Sequence, residues 1–203
     1  MGHGTKGHWE RVYAAKSDRE LSWTQSDFST SLRLIGRSAP AGGRIIDVGA
    51  GSSSLAGRLL EMGLTVTVLD ISGAAMARAA ESMGARSGKV RWIEADVTQA
   101  PELGTFDVWH DRAVFHFLTD PADRAAYRTL MERSIPMDGH AIIATFTPEG
   151  PAECTGLEVR RYDPAALAAE IGEGFELVES IREIHRTPWG DSQPFQYSLF
   201  RRR

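Results

Sequence analysis

Short apolar runs alternate with helix-type patterns along most of the chain. Mainly apolar runs of four to six residues are typical of strands that are buried in a parallel sheet. Such runs predict strands at Ile45–Val48, Leu64–Leu69, Val90–Ile93, Phe106–Trp109 and Ala141–Thr145. Because helical patterns separate these runs, the chain is expected to form a doubly wound α/β sheet with right-handed crossovers.

The two ends of the chain extend this pattern. Glu176–His185 and Phe195–Phe200 predict two further strands that pair antiparallel at one edge and complete a mostly parallel, seven-stranded sheet. His8–Ile35 mixes aromatic and polar residues and predicts an N-terminal helical cap. We therefore expect one domain over residues 1–203, with a helical cap over residues 1–40 and a doubly wound core over residues 44–203.

An acidic residue follows or ends each of the first three predicted strands: Asp47, Asp70 and Asp96. Gly49 and Gly51 form a turn after the first strand, where glycine allows positive φ and a close approach of a ligand to the backbone. Ligands of doubly wound sheets bind at the carboxyl ends of the strands, and a carboxylate there is a suitable acceptor for a ribose diol. The chain has no Gly-Lys-Ser/Thr phosphate cradle, but a nicotinamide dinucleotide stays open as an alternative ligand.

These motifs resemble those of class I, Rossmann-like S-adenosylmethionine-dependent methyltransferases, from about His8 to the C-terminus. Members of that family often have a third glycine in the first turn, where this chain has Ser53. The resemblance implies S-adenosylmethionine as the cofactor and S-adenosylhomocysteine as the product. It also implies a set of cofactor-binding residues: Trp9, Trp23, Asp47, Gly49, Gly51, Asp70, Ile71, Asp96, Val97 and His110.

The segment after the fourth predicted strand carries candidate residues for the methyl acceptor. In the family, this segment faces the methyl group, and here it contains His110, Asp111, Arg112 and His116. Methyl transfer requires alignment and, for some acceptors, removal of a proton, so either imidazole is a candidate base. We predict His110, Asp111 and His116 as catalytic residues. Asp111 and Arg112 also fit a mutual ion pair, and His116 fits a core histidine.

The layout is similar to that of thiopurine and small-thiol S-methyltransferases in two features. An aromatic N-terminal segment precedes the first strand, and the pair Asp111-Arg112 follows the fourth. The resemblance implies a lid in which Trp9 and Trp23 exclude water, and an aromatic face attracts a sulfonium cation. Simple packing of the two indoles fits the sequence equally well. We predict substrate contacts for Arg112, Phe146 and His185.

Composition narrows the function further. A net charge of −4 disfavours a nucleic-acid partner, and no apolar run is long enough to span a membrane. The single cysteine, Cys154, favours a cytoplasmic protein, and no spacing typical of a metal site is present. We expect methylation of a small-molecule nucleophile, with a thiol or sulfide as the first choice. Protein lysine or other N-methylation, and a non-catalytic module that binds a cofactor or partner, are the alternatives.

Overall fold

The structure, a computed structural model, describes residues 4–203 and contains the predicted seven-stranded sheet. Nine strands are present in these residues: β1 Arg44–Val48, β2 Thr65–Asp70, β3 Arg91–Glu94, β4 Val108–Arg112, β5 His140–Phe146, β6 Glu153–Cys154, β7 Leu157–Glu158, β8 Phe175–Arg186 and β9 Ser192–Arg202. The α-helices are α1 Lys6–Ala15, α2 Ser29–Ser38, α3 Leu55–Glu61, α4 Gly73–Met83, α5 Pro121–Ser134 and α6 Pro164–Ile171. The predicted fold class is therefore confirmed. The assignment of residues 1–203 to a single domain stays a prediction.

The strand order of the main sheet is β3-β2-β1-β4-β5-β9-β8. Strands β1 to β5 are parallel, while β9 pairs antiparallel with β5 and with β8. The order reverses between β1 and β4, which makes this pair the topological switch point of the sheet. In doubly wound sheets a crevice for ligands opens at this point, outside the carboxyl ends of the strands.

The two faces of the sheet bury different residues of the same strands. In β4, Val108 belongs to the apolar cluster that includes residues of α2 and α3, whereas Trp109 belongs to the cluster that includes residues of α5 and α6. Side chains alternate between faces along a strand. His110 and Arg112 therefore share the face of Val108, and Asp111 lies on the face of Trp109.

The N-terminal cap is interrupted, unlike the helical segment predicted for His8–Ile35. Helix α1 begins after Thr5, whose side chain accepts a hydrogen bond from the His8 amide, and it ends at Ala15. Ser17 and Glu20 then form a capping box around a short 3₁₀ turn, and α2 starts only at Ser29. The capping residues satisfy the backbone groups of a new turn, which explains why the first helix does not continue.

The loop after β5 contains the short β6–β7 hairpin, which the hydrophobic pattern did not predict. Within residues 4–203, the structure contains no helix with the length and apolar character needed to cross a membrane. The cytoplasmic location stays a prediction.

Candidate active site

A cavity lies at the carboxyl ends of β1, β2 and β4, at the switch point of the sheet. It encloses about 790 Å³, counted with its open mouth, which is within the range of small-molecule sites. Ten of the residues predicted from the sequence line it: Trp9, Trp23, Gly49, Asp70, Ile71, Asp96, Val97, Arg112, His116 and Phe146. A second, adjoining cavity is lined by Asp47 and His110 and shares Trp23, Gly49 and Arg112 with the first.

The turn after β1 requires glycine at two positions. Gly49 and Gly51 have φ values of 66° and 58°, in the left-handed region that other residues rarely adopt. A Cβ atom at Gly49 would collide with the Val114 side chain, and one at Gly51 would collide with the hydroxyl of Tyr13. The turn therefore brings the bare backbone to the rim of the cavity.

Asp70 lies beside this turn at the end of β2 and is 7% exposed. Its carboxylate accepts hydrogen bonds from the Gly51 amide at 2.7 Å and from the Ser72 amide at 2.8 Å. Burial raises the pKa of Asp70 to about 6, although both hydrogen bonds oppose the shift. A carboxylate has about four acceptor positions, so two backbone donors leave capacity for the hydroxyl groups of a ligand.

Asp96 and Val97 follow β3 and line the same cavity. The Asp96 carboxylate accepts hydrogen bonds from the amide and the hydroxyl of Thr98, at 2.8 and 2.7 Å. These bonds fix the turn after β3 that lines this cavity.

His110 was predicted as a base and a cofactor contact, but its two ring nitrogens are both engaged. Nδ1 lies 2.7 Å from Asp47 Oδ1 and Nε2 lies 3.0 Å from the Ser31 hydroxyl. All three residues are buried, and they join β1 and β4 to α2. The arrangement leaves neither nitrogen available to take a proton from an acceptor, so it does not support the predicted catalytic role.

Asp111 was also predicted to be catalytic, and the structure places it away from the cavity. Its carboxylate accepts hydrogen bonds from the Tyr127 hydroxyl at 2.6 Å and from the amides of Val114 and Phe115 at 2.9 and 3.1 Å. Burial raises its pKa to about 6. Because β4 turns Asp111 to the face opposite Arg112, these neighbours form no ion pair, and Asp111 instead fixes the loop after β4.

Arg112 lies at the acceptor end of the cavity. Its Nε donates to the Tyr197 hydroxyl at 3.1 Å, and its Nη1 donates to the Trp23 carbonyl at 3.0 Å. The guanidinium carbon lies 4.3 Å from the centroid of the Phe195 ring. The Nη2 atom is buried and has no hydrogen-bond partner among the described residues. Arg112 is thus held firmly while it keeps one donor group unused.

His116 combines the two alternatives considered from the sequence, since it is a core residue and also lines the cavity. Its ring lies between Phe117 and Phe146, with centroid distances of 4.6 and 4.7 Å. Its Nδ1 accepts a long hydrogen bond of 3.4 Å from the Phe146 amide, and its buried Nε2 has no partner among the described residues. Burial, with a smaller contribution from Arg112, lowers its pKa to about 3.

The aromatic residues of the cap line the cavity and also pack together. Trp9 contacts Trp23 and Phe117 edge-on, with centroid distances of 5.9 and 5.1 Å. Tyr13, which the sequence analysis did not single out, lines the cavity and reaches the Gly51 turn. The sequence could have indicated this role, because Tyr13 lies four residues after Trp9 and residues four apart share a helix face. The two tryptophans therefore both line the cavity and pack the cap.

Three other observations complete the site. His185 was predicted to contact substrate, but it does not line the cavity, and its Nε2–H donates to the Ser22 carbonyl at 2.7 Å. Cys154 and Phe195 line the cavity, and burial raises the pKa of the Cys154 thiol to about 11. Within the described residues, no group of three or more His, Cys, Asp or Glu side chains could hold a metal ion.

Comparison with known proteins agrees with the fold. Residues 45–134 match a family model described as a methyltransferase domain, whereas no curated protein matches the chain. A solved structure that concerns the conversion of a disulfide bond into a thioacetal group during echinomycin biosynthesis superposes with a TM-score of 0.79 and 20% identity, over 98% of this chain and 93% of that one. For the N-methyltransferase NodS from Bradyrhizobium japonicum WM9, in complex with S-adenosylhomocysteine, the TM-score is 0.73 and the identity 17%, over 96% and 98% of the chains. For an S-adenosylmethionine-dependent methyltransferase from Anabaena variabilis, the TM-score is 0.78 and the sequence identity 13%, over 98% of this chain and 93% of that chain.

Proposed function

We propose that this chain is a class I S-adenosylmethionine-dependent methyltransferase and that it methylates a small-molecule nucleophile whose reacting atom is the sulfur of a thiol or sulfide. The observation that carries the proposal is a largely aromatic acceptor end without a free base, because His110 is hydrogen-bonded at both ring nitrogens and burial lowers the pKa of His116 to about 3. The cofactor supplies an electrophilic methyl group on a sulfonium sulfur. The chain supplies the binding, the alignment and the exclusion of water.

The residues around the Gly49–Gly51 turn fit this cofactor. Gly49 lines the cavity, and the left-handed φ of Gly49 and Gly51 keeps side chains out of this turn. We assign the ribose hydroxyls to Asp70 and the adenine edge to Asp96 and Val97. Trp9 and Trp23 cover the cavity, where their faces suit a sulfonium cation.

The acceptor end favours a small molecule. Phe117, Phe146 and Phe195 form its walls, and Trp9 and Trp23 of the cap region cover it. A protein lysine substrate would require an open groove with carboxylates to receive a cation. The two described carboxylates that line this cavity are not at the acceptor end. Asp70 is the last residue of β2, and Asp96 follows β3.

The state of the candidate bases favours sulfur over nitrogen or oxygen. His110 is hydrogen-bonded at both nitrogens, Asp111 faces the other side of the sheet, and the pKa of His116 is about 3. A thiol ionises close to neutral pH and its thiolate is strongly nucleophilic, so its methylation needs alignment but little help from a base. A sulfide carries no proton to remove. The sulfur chemistry of the echinomycin protein is a property of that protein, but it is consistent with this choice.

N-methylation is the second candidate, because the similar NodS structure is that of an N-methyltransferase. An uncharged amine carries its own lone pair and can also react without a protein base. The two candidates differ in charge at the acceptor end, where Arg112 places a guanidinium group. A cation there disfavours a protonated amine and favours an anionic or neutral sulfur.

The proposal is tested by a screen of matched acceptors. Purified protein is incubated with S-adenosylmethionine and either benzenethiol, thioanisole, benzylamine or benzoate, and release of S-adenosylhomocysteine is measured. Thiol-dependent release is expected, and the Asp70→Asn variant should abolish it at the same cofactor concentration. Turnover with the amine alone would refute the sulfur assignment. Calorimetric binding of the cofactor without turnover on any acceptor would favour a non-catalytic binding module.

A further inference from the structure

Two buried nitrogen atoms at the acceptor end have no hydrogen-bond partner among the described residues. They are Arg112 Nη2 and His116 Nε2, and both residues line the same cavity. Buried polar atoms in folded proteins are nearly always paired, and exceptions often mark a place where a ligand completes the set. The surrounding walls of Phe117, Phe146 and Phe195 offer no alternative acceptor.

The His116 nitrogen is a donor. A backbone N–H can only donate, so the contact from the Phe146 amide makes His116 Nδ1 the acceptor. A neutral imidazole carries one proton, which then resides on Nε2. The pKa of His116, lowered to about 3 by burial, keeps the ring neutral across the physiological range. His116, which lines the cavity, therefore carries an unused N–H on Nε2 and cannot act as a base through that nitrogen.

The Arg112 nitrogen is the unused donor of a cationic group whose nearest described carboxylate contact, Glu183, is made through the Tyr197 hydroxyl. A guanidinium has no acceptor atoms, and Arg112 forms no ion pair with a described carboxylate. Its other two nitrogens are fixed by the Tyr197 hydroxyl and the Trp23 carbonyl, so the group cannot turn away without losing both bonds. The acceptor end thus combines a fixed cation and two unused N–H groups within apolar walls.

We propose that Arg112 Nη2 and His116 Nε2 form an anion site that binds the methyl acceptor as its thiolate. This inference rests on the proposed function. The thiol gives its proton to solvent before it binds, and the thiolate accepts hydrogen bonds from both residues. Its lone pair then forms the new sulfur–carbon bond while the carbon–sulfur bond of the sulfonium breaks, and that electron pair stays on the cofactor sulfur. Arg112 and His116 thereby select the ionised form of the acceptor.

A binding experiment tests the anion site without requiring turnover. The probe is 4-nitrophenol, whose ionised form is coloured, added to protein that is saturated with S-adenosylhomocysteine. Two donors should lower the pKa of the bound phenol by about one unit or more relative to the free probe. An unchanged or raised pKa would overturn the proposal, since apolar walls alone favour the neutral form. A lowered pKa together with no methylation of any thiol would refute the proposed function and leave the anion site standing.

Substitution of His116 separates donation from packing. His116→Phe keeps a flat ring but removes the donor, and it should reduce kcat/KM for benzenethiol about tenfold or more, since hydrogen bonds to charged groups are strong. His116→Gln restores an N–H group and should recover most of that loss. Both variants should bind S-adenosylhomocysteine like the parent protein. Equal activity of the Phe and Gln variants would refute donation by His116. Arg112→Met provides a second test in case either variant is unstable.

The pH dependence of activity gives a third readout. The described titratable groups around Arg112 and His116 are Cys154, His185, Tyr197 and Glu183. Burial raises the pKa of Cys154 and Tyr197 and lowers that of His185, which moves all three away from the range between pH 7 and 9. The rise of kcat/KM with pH should therefore follow the pKa of the acceptor, and 4-nitrobenzenethiol should reach its plateau at lower pH than benzenethiol. A midpoint shared by both thiols would indicate a protein base and overturn the proposal.

Discussion

The tight contact between Gly49 and Val114 allows a quantitative test of the cofactor turn. In Gly49→Ala, the new Cβ atom must adopt a φ of 66° and would overlap Val114 Cγ2. The left-handed conformation costs about 1–2 kcal/mol for a residue other than glycine. Overpacking adds about 1–3 kcal/mol, so the free energy of unfolding should fall by about 2–5 kcal/mol in total.

Gly42→Ala is the matched control for this substitution. Gly42 has a φ of 71°, and a Cβ atom there would meet nothing within 4 Å. The free energy of unfolding of Gly42→Ala should therefore fall only by the cost of the left-handed conformation, about 1–2 kcal/mol. The double variant Gly49→Ala, Val114→Ala removes the overlapping methyl group and should recover much of the additional loss, although it also removes some packing.

The free energy of unfolding of each variant is measured by urea unfolding, with tryptophan fluorescence as the signal. Calorimetric titration with S-adenosylhomocysteine then shows whether the turn still binds the cofactor. If Gly49→Ala were no more destabilising than Gly42→Ala, the close approach of Val114 to the turn would be refuted. If the cofactor affinity of Gly49→Ala were unchanged, the turn would not be part of the cofactor site.

Three further predictions follow from buried contacts. Because burial raises the pKa of Asp70 to about 6, its carboxylate becomes protonated as the pH falls through 6, and the affinity for S-adenosylhomocysteine should decline there. Calorimetry should show a weaker pH dependence for Asp70→Asn, and an unchanged profile would contradict the ribose assignment. Tyr127→Phe removes a hydrogen bond to Asp111 and should destabilise the protein by about 1–3 kcal/mol with little effect on cofactor affinity, as measured by urea unfolding and calorimetry. The loss of stability in Gly51→Ala should be partly restored by Tyr13→Phe, because the hydroxyl of Tyr13 is the atom that the new Cβ meets first. Equal melting temperatures of the single and double variants would argue against this contact.

The sheet and the glycine turn could be predicted because their signals are local. A strand that ends in an acid and enters a glycine turn identifies the carboxyl edge of a parallel sheet from a short window of sequence. Asp70 and Asp96 both line the cavity, as that pattern predicts. Strand ends were less certain, and β4 begins and ends later than predicted.

The roles of the residues at the end of β4 were harder to predict, for two different reasons. The predicted strand ended at Trp109, whereas β4 extends to Arg112, and the alternation of side chains along it places Asp111 and Arg112 on opposite faces. His110 is different, because its partner Ser31 is 79 residues away, and no local pattern announces that contact. The unpaired nitrogens of Arg112 and His116 also depend on tertiary packing and are visible only in the structure.

The hydrogen-bonded series Asp47, His110 and Ser31 has a mechanical consequence for access to the cavity. Ser31 belongs to α2, so its buried bond to His110 fastens that helix to the middle of the sheet, while the bond from His110 to Asp47 holds the imidazole in place. An entrance that opened by swinging the whole N-terminal region would have to break the bond between Ser31 and His110. If a segment moves to open the cavity, its hinge must therefore lie before residue 29. The segment that can move is then α1 together with the 3₁₀ turn that follows it.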